Sequence, residues 1–339
     1  MSNKDFDNLE ERPAEVKGVE KPKPAKDYLD EYYKTLGNGT QEYLGIKTGL
    51  VGLDKITLGL RGLIVLAGKA GQGKTTLALQ LAFDACELGT PIIFYSLEMQ
   101  RQEIFTKILN RLAEVRYSDI LLKGRNYLDE TSKETNLLGE ETDSSGYFTK
   151  DEITRLKEAK TRLAKISDKF YIRSLEAGEP IINFTSLEQE INITKAEHRA
   201  DKVLVVVDQL QDFEIEDFKD QYDKEGRVIR KFLEIHERTG ATFVLVSHKN
   251  KTGWDANDMT SVKGSVDLVY KPQVVIVLDD PDDKKNKKNE EVELDSVIAH
   301  FGTGLKKIDL VIDKNRHGAT GKIKLDFNKE YSKFSERIE

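Results

Sequence analysis

The 339-residue sequence predicts an α/β fold: a mainly parallel central sheet flanked by helices, with antiparallel additions near the C-terminus. Three observations carry this. From about residue 45 onward, short and continuously apolar runs such as "LIVLAG" and "VLVVVD" alternate with segments of helical period. Strands of that kind are buried on both faces, as parallel strands with crossover helices are. A glycine-rich phosphate-loop pattern sits between the first such strand and the first long helix, the context in which the pattern has chemical meaning. Beyond about residue 270 the helical segments cease and strands follow one another, which marks an antiparallel edge.

Composition narrows the class. Charged residues make up 33%, mean hydropathy is −0.53 and the formal charge is −7, so the chain is water-facing. Its apolar runs are strand-sized, too short to span a membrane, and "MSNKDFDNLEERP" holds no apolar core of a secretory signal. The single cysteine, Cys86, excludes an internal disulfide and a cysteine-rich zinc module. It lies on the apolar face of "ALQLAFDACEL" and reads as core, which fits a reducing cytoplasm. An acidic total argues against a strongly basic nucleic-acid coat but leaves local basic loops open, because phosphate binding depends on where the charges sit.

Taken in order, residues 1–25 mix acids, bases and prolines with few large apolar side chains. They predict a disordered charged tail, since little burial is available to offset the ordering entropy. Residues 26–44 predict a linker helix, with Tyr28, Leu29, Tyr32, Tyr33 and Leu36 at helical spacing and Gly37 as its stop. That apolar stripe either packs on its own domain or docks on a neighbouring subunit. Residues 45–339 form the main domain. Its strands are "GLIVLAG", "PIIFYS", "KFYIRS", "KVLVVVDQ", "ATFVLVS", "PQVVIVLD", "KIDLVID" and "GKIKLDF". Helical segments separate the first five, beginning with "TTLALQLAFDACEL" and "RQEIFTKILNRLAEV". Two stretches interrupt the alternation: residues 124–149 read as a polar surface insertion, and residues 279–296 as a charged hairpin or loop.

"GKAGQGKTT", covering Gly68, Lys69, Ala70, Gly71, Gln72, Gly73, Lys74, Thr75 and Thr76, matches the phosphate-loop pattern G-x-x-x-x-G-K-S/T. Gly68, Gly71 and Gly73 allow the backbone to curl its N–H groups into an anion nest, and the following helix presents its positive end. In this arrangement Lys74 reaches the β- and γ-phosphates of ATP and the Thr75 hydroxyl holds Mg²⁺. A second metal carboxylate is expected at the end of an adjacent strand, and "KVLVVVDQ" supplies Asp208. Glu98, in "FYSLEMQRQE", ends the strand that follows the phosphate-loop helix. Such a position suits a general base or water-orienting group fixed by rigid elements. The plainer alternative is a strand end meeting solvent. A glutamate on this neighbouring strand, rather than beside Asp208, is the arrangement of RecA-like motor cores.

Four segments in order resemble the C-terminal motor domain of DnaB-type replicative helicases. They are "TGLVGLDKITLGLRGLIVLAGKAGQGKTTLALQLAFDA", "YSLEMQRQEIFTKIL", "VVVDQLQDF" and "KNRHGATGKIKLDF", and the likeness runs from about residue 45 to 335. The resemblance implies a RecA-like ATP hydrolase that moves on single-stranded DNA as a ring, most simply a hexamer. It also implies residue roles. His248, where bacterial members usually carry glutamine, would sense the γ-phosphate. Lys314 and Arg316 would reach the γ-phosphate of the neighbouring subunit, with Arg316 as a finger. Lys249, Lys251 and Lys263 would belong to the DNA-facing loop.

Two departures stand out. Lys271-Pro272 replaces the family's acidic stretch after that loop, and only a charged tail and one helix precede the motor where relatives carry a folded domain or a primase. A separate primase or loader is the implied partner. The competing reading is a RecA-fold regulatory ATPase, related to clock or recombinase proteins, acting on protein partners. A small-molecule kinase would leave Lys314 and Arg316 without a task.

Overall fold

A computed structural model describes residues 24–37, 43–127, 148–174, 176, 183–210, 213, 221–248, 270–281 and 305–337. Contacts divide the chain into two units, residues 1–42 and 43–339. In the first, helix α1 spans Lys26–Gly37, and Tyr28, Leu29, Tyr32 and Tyr33 are each half exposed or more.

The second unit is built on a nine-stranded sheet among the described residues, in the order β3-β2-β4-β5-β1-β6-β7-β8-β9. Six strands are parallel: β1 (Leu63–Gly68), β2 (Ile92–Ser96), β3 (Phe170–Ser174), β4 (Leu204–Asp208), β5 (Thr242–His248) and β6 (Val274–Asp279). Three antiparallel strands extend one edge: β7 (Leu305–Asn315), β8 (Gly321–Asn328) and β9 (Lys333–Glu336). This is the mainly parallel sheet with a C-terminal antiparallel edge that the alternating apolar runs predict.

Because successive strand side chains point to opposite faces, β1 feeds two cores. Ile64 and Leu66 join a cluster with Leu77 and Leu81 of α3 (Lys74–Glu87), Ile104 and Ile108 of α4 (Arg101–Ala113), and Phe327 and Phe334. Leu63, Val65 and Ala67 join the opposite cluster with Leu187 and Ile191 of α7 (Phe184–His198) and Val228 and Phe232 of α8 (Gln221–Thr239). Cys86 is buried in the first cluster, where its sequence position puts it.

Three elements have no counterpart in the sequence reading. Helix α2 (Val51–Thr57) is short and lacks a side-chain N-cap. It is set by Asp54, whose buried carboxylate accepts bonds from the Thr48 N–H and hydroxyl and from the Gly49 N–H. Helix α5 (Tyr117–Tyr127) takes up residues 124–127 of the expected surface insertion, residues 128–147 lie outside the described residues, and Thr149 caps α6 (Lys150–Ile166). Strand β9 is a four-residue edge. The tail 1–25 (apart from its last two residues) and most of the 279–296 stretch also fall outside the described residues. Among the described residues no helix is long and apolar enough to cross a membrane.

Candidate nucleotide site

β1 ends at Gly68, and residues 69–73 turn the chain into α3. Gly73, the N-cap, has φ 88°, and Gly71 has φ 74°, both in the left-handed region that glycine enters without strain. Gly73 has a second reason to be glycine. A Cβ there would meet the Phe334 and Phe327 rings at 2.8 and 2.9 Å, and those two rings stack with centroids 4.2 Å apart. No side chain caps α3, so its first-turn N–H groups remain available to an anion.

Inside the loop, the Gln72 side chain accepts a bond from the Lys69 N–H at 2.7 Å, while its Nε2 is buried without a partner. Lys74 Nζ donates to the Lys69 carbonyl at 3.0 Å. Burial pulls this ammonium below its ordinary range, opposed by the charges of Asp208 and then Glu98. Both carboxylates therefore favour the charged form of the loop lysine.

The Thr75 hydroxyl donates to Asp208 Oδ1 at 2.9 Å, across 133 residues of sequence. Asp208 is fully buried, and its Oδ2 has no hydrogen-bond partner. Burial raises its carboxyl from 3.8 to about 6, with Glu98 adding to the rise and Thr75, Lys74 and Lys107 opposing it. A hydroxyl and an orphaned carboxylate oxygen make the oxygen-only donor set that suits a hard cation such as Mg²⁺, so these residues fit one. Among the described residues no group of three His, Cys, Asp or Glu could hold a metal unaided.

Glu98 lies two residues beyond Ser96, which pairs with Asp208 in the β2–β4 register. Leu97 N–H donates to the Asp208 carbonyl. The turn is fixed by Ser96, whose hydroxyl donates to the Met99 carbonyl at 2.7 Å and accepts the Met99 N–H at 3.1 Å. Glu98 itself is exposed. The backbone just before Glu98 is thus tied to that of Asp208.

His248 ends β5 directly opposite Gly68 in the sheet register; its side chain lies outside the described residues. Lys249, Lys251 and Lys263 also lie outside them. Lys314 and Arg316 are placed elsewhere. Both donate to the Tyr270 carbonyl, at 2.6 and 2.8 Å. In the register Asn315 faces Val274 at the start of β6, whereas Gly68 faces Leu278 at its end. The four residue steps from Val274 to Leu278 put the pair ~13 Å along the sheet from the chain's own loop.

Sequence reasoning named Gln72 within the motif, where its side chain bridges the loop, but missed three contributors. Phe327 and Phe334 form the loop's floor. Gln80 of α3 clamps that floor, its Nε2 donating to the Phe334 carbonyl and its Oε1 accepting the Phe334 N–H, both at 2.9 Å. Only the apolar alternation of "KIKLDF" hinted at an inward Phe327.

A phosphate loop followed by a helix, a paired strand-end aspartate and a RecA-like strand arrangement define a P-loop NTPase fold. The family model of the DnaB-like helicase C terminal domain matches residues 45–336, and the chain belongs to that family. It is 24% identical over 305 residues to the replicative DNA helicase DnaB of Mycoplasma genitalium, covering 86% of this chain and 56% of that protein. With the replicative DNA helicase DnaB of Rickettsia felis it shares 22% over 339 residues, covering 92% and 61%. The chain thus spans a little over half the length of these relatives.

Solved structures agree in fold. An ATPase domain superposes with a TM-score of 0.72 at 17% identity, over 94% of this chain and 100% of that one. A DnaB-like replicative helicase, described with its interactions with primase, superposes with a TM-score of 0.70 at 17% identity, over 93% of this chain and 67% of that one.

Proposed function

We propose that this chain is the ATP-hydrolysing motor of a DnaB-type ring that moves along single-stranded DNA. The observation that carries the reading is the Thr75–Asp208 pair, joined at 2.9 Å with Asp208 Oδ2 buried and unpartnered, at the mouth of an uncapped phosphate-loop helix.

ATP supplies the β–γ bond to be broken, and Mg²⁺ the charge that neutralises its oxygens. The chain does the rest. The first-turn N–H groups of α3 and residues 68–76 cradle the phosphates, and Lys74 exchanges the Lys69 carbonyl for phosphate oxygen. Thr75 and Asp208 would hold the cation. Glu98 orients the attacking water and accepts its proton at the carboxylate. His248, beside Gly68, responds to the γ-phosphate.

Lys314 and Arg316 are bonded to the Tyr270 carbonyl, ~13 Å along the sheet from their own loop, which supports a role at the neighbouring copy's site, with Arg316 as the finger. A shared site requires a ring, and six copies is the number the family implies. The apolar stripe of α1 gives such a ring a linker helix to dock on the next copy. Lys249, Lys251 and Lys263 would line the DNA path, which lets an otherwise acidic chain bind a polyanion. A separate primase or loader, in the cytoplasm, would complete the assembly.

The test is steady-state ATP hydrolysis with and without single-stranded DNA, with Lys74→Ala as the blank. Stimulation that disappears on replacing Lys249, Lys251 and Lys263 together supports the motor. Hydrolysis indifferent to single strands would favour the regulatory ATPase, a reading to which the net charge of −7 lends weight.

A further inference from the structure

Arg316 stands just past the end of β7, on the turn that leads to Gly321 at the start of β8. A guanidinium on a long stem is aimed only as well as the backbone beneath it. Two carbonyls receive this residue. Its Nη2 donates to the Tyr270 carbonyl at 2.8 Å, and its N–H donates to the Gln273 carbonyl at 2.9 Å. The side chain must leave the first bond to reach another copy. The second holds the main chain whether or not the side chain moves.

Gln273, just before β6, is itself fixed on β1. Its N–H donates to the Leu63 carbonyl at 2.9 Å, and its side-chain Oε1 accepts the Leu63 N–H at 2.7 Å. One residue thus takes both main-chain groups of the first residue of β1. Gly62 leaves room for the amide: it has φ 76°, and a Cβ there would meet Gln273 Cδ at 2.7 Å. Asn315 ties down the other side of the turn. Its Nδ2 donates to the Ile56 carbonyl of α2 at 3.1 Å, and its Oδ1 accepts the His317 N–H at 3.1 Å. Asn315 shapes the turn, and Gln273 sets where Arg316 stands against β1.

Resting on the motor reading above, we propose that Gln273 is a positioning residue for Arg316: its amide locks the chain before β6 to β1, and its carbonyl holds the Arg316 backbone where the guanidinium can serve the neighbouring copy's site. Gln273 does not touch the nucleotide. Its effect passes through Arg316.

The experiment measures ATP turnover of Gln273→Met, which keeps the bulk and loses the acceptor, alone and in mixed assemblies of full-length chains. Binding of a fluorescent ATP analogue and thermal unfolding are followed alongside. Alone, the variant should lose about 10–100-fold in kcat, the range for a misplaced catalytic group. KM and analogue affinity should stay within about twofold, because the chain's own phosphate loop is untouched. Mixed with Glu98→Gln the variant should regain activity, since each lesion then spares one kind of interface. Mixed with Arg316→Ala it should regain none, because both lesions lie on the finger side. The reverse pattern would place the defect in the variant's own nucleotide site and overturn the assignment, as would an equal loss of analogue affinity. Gln273→Asn, one methylene too short to reach Leu63, carries the same expectations should the methionine variant unfold. If Arg316→Ala alone hydrolyses ATP at the unaltered rate, the finger reading fails and this inference with it, a result seen without touching Gln273.

Discussion

Replacing Asp208 with asparagine should make the nucleotide-free chain more stable while disabling its site. Asp208 is fully buried and only one of its oxygens is bonded. Burial lifts its carboxyl from 3.8 to about 6. The folded chain therefore keeps a proton that the unfolded chain releases between about pH 4 and pH 6, so stability falls as pH rises through that window and stays lower above it. A displacement of this size corresponds to about 3 kcal/mol at pH 8 and about half of that at pH 5. Asparagine carries no charge, but its buried and partly unsatisfied amide takes back about 1–2 kcal/mol.

The expected result is a variant about 1–2 kcal/mol more stable than the unaltered chain at pH 8, with that advantage gone near pH 5. Urea denaturation of both proteins in EDTA at pH 5, 6 and 8 measures it. Burial also raises Asp54 and Asp84, so the unaltered chain's own pH profile mixes several groups. The difference between the two proteins isolates Asp208. An advantage that is constant with pH, or largest at pH 5, would refute the reasoning. Magnesium with a nucleotide analogue should stabilise the unaltered chain and leave Asp208→Asn unmoved.

Gln80→Ala removes both bonds to the Phe334 backbone and should lower stability by about 2–3 kcal/mol, read as a shifted denaturation midpoint. A change under ~0.5 kcal/mol would mean that the clamp is idle. Arg316→Ala and Glu98→Gln should each lose turnover alone, while mixed assemblies regain part of it. Complementation that never exceeds the sum of the two would speak against a shared site. Cys86, buried with its thiol pushed up to about 12, should resist iodoacetamide in the native chain and react on adding urea. Rapid native labelling would contradict that burial.

The parallel half of the fold was legible because β1, β2, β4 and β5 are buried on both faces and so read as unbroken apolar runs. Strand β9 was not, since "KFSE" turns only Phe334 inward and its place depends on Gln80 far away in sequence. Helix α2 was missed for a related reason. Seven residues carry too little periodicity, and Asp54 holds their start from the inside.

At the site, the motif names Lys74 and Thr75, and the apolar run ending in Asp208 names its partner. What local sequence could not convey is register. That Ser96 pairs with Asp208 and Gly68 with His248 emerges only when four strands assemble. The Tyr270 carbonyl that gathers Lys314 and Arg316 had no signature either, because a backbone acceptor is the same atom in every residue.

The floor beneath Gly73 has a consequence for how the protein is made. Gln80 and Phe334 are 254 residues apart. At ~5–20 residues per second, roughly 13–50 s of synthesis separate them. Through that interval the nascent chain carries the whole glycine-lysine motif with empty space where two aromatic rings belong. A messenger cut short, or a fragment ending anywhere in those 254 residues, would still be recognised by its motif, yet it would lack the support that gives the loop its shape. The oldest-made part of the nucleotide site waits for nearly the youngest.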